Sequence, residues 1–527
     1  MKKTGVFLGF HPGTNLSNEG IGRLLAFLLK ENNSDTKDMI LFCPEWLRHS
    51  ILLLMKDNNI PDYKFDIVST NAIPLGIRLK EYITGKKKPK KARLKKSDFF
   101  NKTKLKISML LKKGVEDFFG TSSLFFVVVK VICYLLLVVC CLPFLILFSL
   151  LYLVYKLILL IYKLLYKVTP YKSTILKFSN IAKNSKGWIY QRVIDAELEK
   201  IVKCINKNKI VDVCYIPSMI WPQIKKLKCK KILAAPDIVF YDFPTQFPGV
   251  GYTHRRIRES IQAADHLICY SEYVKLHHYV ERCGVSPEKI TVIKHANINM
   301  AEHLKLSKHV LKYMTVEQNA REIINEYIQK KYKPDHVLYN SHLSDFDLIT
   351  YSSQYRAHKN IFNLIKAVKI INKQLNGNVK LILTGNYLIE EAIKDYVKDN
   401  FLENDIFIFY GISSRILAAL NSQAKLAVNP TLFEGGFPFT FSESFSVGTP
   451  SIMSNIPVVS NEILDLSLKE KMLFNPFDPY AIAEKIVMAI ENRNELYQAQ
   501  QALYNQFSTR DWRKVAYEYN QVFNQFI

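Results

Sequence analysis

Apolar residues first form a short run at 5–10, followed by a polar loop at 11–19. Behind Gly20-Ile21-Gly22-Arg23 they recur at helical spacing, as Leu24, Leu25, Leu28 and Leu29. Strand, glycine loop and helix in that order open a layered α/β domain. The pattern predicts further strands at 39–43 and 65–69, with a helix at 44–58 between them. It then breaks, and resumes with strands expected at 210–216, 231–235 and 266–270. Residues 300–345 are polar with helical character and form a connection. A second alternation starts at Asp347, with strands expected at 348–352, 379–384, 406–410, 426–428 and 451–453 and helices between. Two α/β domains follow, in keeping with 527 residues, too many for one ordinary core.

The break itself has two parts. Residues 78–113 hold fifteen Lys/Arg against Glu81 and Asp98, a local excess of +13 out of a net charge of +25. Residues 124–165 are overwhelmingly apolar, and Lys130 is the only charge from 124 to 155. A run of about 20 such residues suffices for one membrane span; a buried core helix is the competing reading. If the strands before and after this segment share a sheet, both flanks lie on one side of a membrane and an odd number of crossings is excluded. Pro143 sits midway, a natural bend for a hairpin or re-entrant wedge. Lysines flank both sides, and Lys156, Lys163 and Lys167 share one helical face, so the last turns can lie in the interface.

Charge alone would also admit nucleic acid. The clustering of basic residues beside an apolar segment, without interleaved stacking aromatics, speaks for a membrane surface instead. The nine cysteines show no CxxC pair and no ligand-like spacing, and are read as reduced thiols. Lys2 and Lys3 precede an apolar run too short for a secretory signal.

The densest chemical signal is NPTLFEGGFPFTFSESFSVGTPSIMSNIPVVSNE, residues 429–462. A strand ends at Pro430, a loop with Gly435 and Gly436 carries Glu434, and a helix starting near Phe439 and Thr440 carries Glu443. Amides at a helix start attract phosphate. A carboxylate inside such a helix can accept hydrogen bonds from ribose hydroxyls, and one on the preceding loop can hold a sugar ring. Two merely exposed carboxylates are the bland alternative.

The stretch resembles the donor-site motif of glycosyltransferase family 4, retaining enzymes of the two-domain GT-B fold. The family form, EGFGLPxxEA followed by GTPVV, separates its glutamates by seven residues. Here eight separate Glu434 and Glu443, and Ser444 stands where Ala is usual. Residues 351–361, YSSQYRAHKNI, resemble the loop whose basic pair grips the donor diphosphate. Lys359 matches the family lysine, while Gln354 occupies the arginine position and Arg356 is the substitute expected. Residues 382–385, ending in Gly385, resemble the strand and turn before the nucleotide base, and 411–420 the turn and helix bordering it. Residues 472–490 and 512–526 resemble the closing segment and the terminal helix that returns to the first domain.

In the first domain, Gly20 and Gly22 match the loop that approaches donor phosphates or acceptor, with Glu19 replacing a glycine. Residues 263–297 match a further family stretch in which Ser271 and Glu272 start a helix, read as a cap. Pro236-Asp237 stands where the family commonly has a His-Asp pair. The histidine, which often contacts the transferred sugar, is absent, and Asp237 is a candidate for sugar or acceptor contact or for a simple cap.

The resemblance covers about 1–75 and 205–527 and implies an α/β GT-B protein, two Rossmann-like domains facing a cleft. The organisation it implies is a first domain from 1–77 and 169–300, a basic and hydrophobic membrane-associated insertion at 78–168, and a helical linker at 301–345. A nucleotide-sugar domain at 346–510 and a returning helix at 511–527 follow. The implied activity is transfer of a sugar, with retention, from a nucleotide-sugar to a lipid-linked or polysaccharide acceptor at the cytoplasmic face of a membrane. Lys359, Arg356 and the helix start would stabilise the departing diphosphate, with Glu434 and Asp237 at the sugar. No metal and no cofactor are expected, and no nucleic acid. The loop resembles that of mannosyltransferases that build bacterial surface polysaccharides such as lipopolysaccharide, which makes GDP-mannose the first donor expected and UDP-sugars the next. The rival from another class is a membrane-anchored binding or scaffold protein with a degenerate site; donor turnover discriminates the two. A soluble phosphorylase or glucan synthase of the same fold is disfavoured by the insertion.

Overall fold

The computed structural model describes residues 3–18, 20–31, 39–78, 120, 123, 125–133, 135, 152, 172–207, 211–244, 250–307, 309, 313–341 and 343–527. The basic run beyond Arg78 and most of the apolar segment lie outside the described residues. Among the described residues no helix is long and apolar enough to cross a membrane.

Thirteen strands form two sheets among the described residues. The first contains β1 (Lys3–Phe7), β2 (Met39–Cys43), β3 (Phe65–Ser69), β4 (Val211–Ile216), β5 (Lys230–Ala234), β6 (His266–Cys269) and β7 (Ile290–Val292), in the order β3-β2-β1-β4-β5-β6-β7. The second contains β8 (Asp347–Tyr351), β9 (Val379–Leu383), β10 (Ile406–Ile408), β11 (Leu426–Asn429), β12 (Ser451–Ser454) and β13 (Leu473–Phe474), in the order β10-β9-β8-β11-β12-β13. The strand pairs resolved in both sheets are parallel, as in Rossmann-like domains.

By packing, the chain forms two compact units, one of residues 1–17, 37–214 and 223–229 and one of 18–36, 215–222 and 230–527. In the first unit β1 runs parallel to β2 with Thr4 opposite Met39, and β2 to β3 with Met39 opposite Phe65. A Cβ on Gly5 would come within 2.9 Å of Val211 Cγ1, which is why a glycine sits in the middle of an otherwise apolar strand. β1 neighbours β4, so strands on either side of the 78–168 break share one sheet, which is the premise of the even-crossing argument.

In the second unit, successive residues of β8 and β9 point to opposite faces, and both faces are covered. Ile349, Leu381 and Leu383 pack with the helices Ile361–Gln374 and Pro479–Glu491. Leu348 and Ile382 pack on the other side with Ile324, Ile328 and Ala418. That explains continuous apolar runs where a half-exposed sheet would alternate. The polar connection holds the helix Val316–Lys331, whose Thr315 and Gln318 form a reciprocal capping box. The terminal helix Trp512–Asn524 packs against the helix Gly20–Glu31, where Trp512 stacks on Phe27 with ring centroids 4.1 Å apart. The observed strands depart from expectation mainly at their ends: β1 runs from Lys3 to Phe7 rather than over 5–10, and β10 stops at Ile408. A π-helix, Val274–Glu281, was not expected from periodicity, because its extra residue per turn leaves no distinct apolar spacing.

Candidate active site

β11 ends at Asn429, and Pro430 cannot continue the ladder. The chain turns through 430–438 and enters the helix Phe439–Phe445. Side-chain hydrogen bonds shape the turn: Asn429 Nδ2 donates to Thr440 Oγ1 at 2.9 Å and Thr431 Oγ1 to the Phe433 carbonyl at 2.8 Å. The helix is anchored from behind, where the Ile298 amide donates to Ser442 Oγ at 3.0 Å. Ser444, at the family's alanine position, is fully buried and bonds the Phe441 carbonyl of its own helix.

Lys359 closes a short turn, Ala357–Lys359, after β8. The next residue, Asn360, has φ of 56°, and its side-chain Nδ2 donates to the carbonyls of Pro430 and Pro476 at 3.0 and 2.7 Å. The Leu432 amide donates to the His358 carbonyl at 2.8 Å. These ties bring Lys359 Nζ to 2.5 Å from Glu434 Oε1, across 75 residues of sequence. Arg356 goes elsewhere: it is exposed and donates to Gln354 Oε1 at 3.0 Å.

Asp237 joins this group from the loop after β5. Its Oδ1 accepts the Val239 amide at 3.2 Å, so it does cap the following turn. Its Oδ2 would lie 3.1 Å from a Cβ on Gly435, and the Pro236 carbonyl only 2.5 Å, so any side chain at 435 would displace the loop that carries Glu434. Burial holds the Asp237 carboxyl above the usual range, and Glu434 pushes the same way; the Val239 amide, His278 and Lys359 oppose. Gly436 packs tightly too, 3.0 Å from Tyr270 Cβ at its Cβ position. Ser271 accepts the Val274 amide at 3.3 Å as the expected cap, but also donates to the Gly435 carbonyl at 2.9 Å, a contact that sequence did not suggest.

Glu443 forms a second group. It is 3 % exposed, and its Oε1 accepts from Arg23 Nη1 at 2.9 Å while Ser352 Oγ donates to Oε2 at 3.4 Å. The Arg23 guanidinium also lies 5.6 Å from the Phe439 ring centre. Gly20 and Gly22 are therefore on the helix that delivers Arg23. A Cβ on Gly20 would meet nothing within 4 Å, so space alone does not demand glycine there. Gly385 is different: its Cβ would come 2.7 Å from the Ser353 carbonyl and 2.9 Å from the Tyr355 amide. It lets the turn after β9 pass close to the 353–355 loop.

Sequence reading also missed His278, carried on the π-helix and 0 % exposed. Its Nδ1 accepts the Ile238 amide at 2.9 Å, which leaves the proton on Nε2 to donate to Asp242 at 3.0 Å. Its ring stacks on Phe433 with centroids 5.1 Å apart. It thus ties the Asp237 loop to the Glu434 loop. Among the described residues no group of three or more His, Cys, Asp or Glu side chains is spaced to hold a metal ion. A cavity of about 230 Å³ beside Phe437 and Phe439 is walled by Lys294, His295, Glu462 and Arg510.

Two histidines touch these loops in a neutral state. Burial pushes His295, stacked on Phe439 at 5.0 Å, down to about 3, with Arg510 and Arg23 adding to the effect. Burial, then Lys359 and Arg356, push His358 down to about 3. Unfolded histidine titrates near 6.5, so below that pH the unfolded chain binds protons that the folded chain refuses. Their contribution is fully present above about 6.5 and is lost as pH falls toward 3. Urea unfolding is expected to show stability falling between pH 7 and 5 by up to about 1.4 kcal/mol per pH unit for each histidine. Replacing His295 by Phe should flatten the profile; an unchanged slope refutes the assignment.

Residues 340–506 match the family model described as Glycosyl transferases group 1. The match covers less than half of the chain and supports a glycosyltransferase enzyme. No curated protein matches it in sequence. Among solved structures, Anabaena HepE in complex with UDP and glucose superposes with a TM-score of 0.56 at 11% identity, covering 100% of both chains. Anabaena HepE in complex with UDP-glucose gives 0.55 at 11%, again over 100% of both. A glycosyltransferase from Rickettsia africae ESF-5 gives 0.50 at 12%, over 100% of this chain and 98% of the other. At such identities the likeness is one of fold.

Proposed function

We propose that the chain transfers a sugar, with retention, from a nucleotide-sugar to a lipid-linked or polysaccharide acceptor at the cytoplasmic face of a membrane. The observation that carries the reading is the convergence of Glu434, Lys359 and Asp237 at the loop around Gly435, with Glu443 paired to Arg23 on the helix that follows. Glu443 would accept from the ribose hydroxyls and Glu434 and Asp237 would hold the sugar. The bond from the anomeric carbon to the diphosphate oxygen breaks as the acceptor oxygen attacks from the same face. The acceptor proton passes to the leaving diphosphate, so no side chain need be a strong nucleophile. The helix Phe439–Phe445 has only two turns. Its dipole is short, so stabilisation of the developing charge falls chiefly on side-chain cations. The segment 78–168, basic then apolar in sequence, is the proposed membrane attachment.

GDP-mannose is the donor proposed first. UDP-glucose is the second, because the Anabaena HepE structures of the same fold hold UDP and UDP-glucose. The test is a panel of nucleotide-sugars incubated with the full chain in membranes and a lipid-linked acceptor, with the product anomer read by NMR. Transfer with the donor's anomeric configuration kept is expected. Inversion, or no turnover of any donor, overturns the reading.

A further inference from the structure

We propose that Arg23 is a donor-binding residue that changes partners: it is paired with Glu443 and turns to the donor's diphosphate when ribose hydroxyls take Glu443. The inference rests on the donor-site reading above and adds a residue to it. Two cations of the site are each paired with a carboxylate, Lys359 with Glu434 at 2.5 Å and Arg23 with Glu443 at 2.9 Å. A nucleotide-sugar brings a diphosphate, which needs cations, and hydroxyl groups, which carboxylates accept. Both ion pairs can therefore be exchanged for two better-matched sets of contacts, with no charge left unpaired.

The geometry says which member of the second pair moves. Glu443 is 3 % exposed and fixed on a buried helix, whereas the Arg23 side chain is 38 % exposed. The guanidinium already lies against Phe439, 5.6 Å from the ring centre, at the end of the helix nearest the glycine loop. Its planar fork can take two phosphate oxygens at once. Arg356, the other arginine near the site, is exposed and bonded to Gln354 instead.

The test is calorimetric binding of GDP, GMP and guanosine, and of UDP, UMP and uridine, to wild type, Arg23→Gln and Arg23→Lys. Glutamine keeps a donor for Glu443 but loses the charge. For Arg23→Gln, diphosphate affinity is expected to fall about 10-fold or more while nucleoside affinity changes less than twofold; Arg23→Lys should lie between. Equal losses for nucleoside and diphosphate would mean that Arg23 only steadies Glu443, and would overturn the proposal. Unchanged diphosphate binding would overturn it too. Wild-type protein that binds neither series removes the donor-site reading and this proposal with it. Both variants should keep the wild-type circular dichroism and unfolding midpoint within a few degrees, and a variant that does not is replaced by Arg23→Gln in a Glu443→Gln background, compared with Glu443→Gln alone for the same diphosphate-selective loss.

Discussion

Glu443→Ala and Lys359→Ala are each expected to lower kcat/KM by about 10³-fold while the protein stays folded. Loss of one preorganised contact to developing charge costs about 10²–10³ in rate in comparable sites, and loss of a charge-assisted ribose contact lowers kcat/KM through donor binding. Each of these side chains also orders a neighbour, so the upper end is expected. Folding should survive because the group left behind can be hydrated. Glu443→Ala leaves Arg23, whose side chain is 38 % exposed, and Lys359→Ala leaves Glu434, at 20 %. The split between constants should differ. Removing a ribose contact raises KM for the donor, and removing a diphosphate cation lowers kcat. Steady-state kinetics with matched unfolding midpoints check both. Near-normal turnover in either variant would sink the assignment of the site.

Deleting residues 86–168 and joining the ends with a short linker is expected to move the enzyme from the membrane to the soluble fraction. Thirteen of the fifteen Lys/Arg at 78–113 fall within the deletion and contribute on the order of 1 kcal/mol each near an anionic surface, and the apolar run at 124–165 adds more. The 340–506 family match and every contact described for the site lie outside the deleted stretch. Donor hydrolysis or transfer to a soluble acceptor analogue should persist, while transfer to a lipid-linked acceptor falls because local concentration in the membrane plane is lost. Flotation on vesicles with and without anionic lipid, together with the two transfer assays, measures this. A deletion protein that folds and binds nucleotide yet processes no soluble analogue would mean that the segment builds the acceptor site.

Most strand positions and both α/β series were legible in the chain, because a strand buried on both faces needs an unbroken apolar run and a helix needs its own period. The loop with Glu434 and Gly435 and the helix with Glu443 were legible too, since loop, glycine and helix start are consecutive in sequence; Lys359, 75 residues earlier, was singled out by the family resemblance. Gly435 is a local requirement whose reason is not local: the Pro236 carbonyl fills the place of its Cβ. What tertiary structure alone decided are the pairings between distant segments. Arg23 and Glu443 are 420 residues apart, and Ser271 and Gly435 164. The cation that pairs with Glu443 comes from the helix Gly20–Glu31, whereas Arg356 bonds Gln354. His278, on the π-helix, meets the Asp237 loop across 40 residues of sequence. Periodicity reports which face of an element is buried; it carries no information on which distant face it is buried against, and ion-pair partners are chosen there.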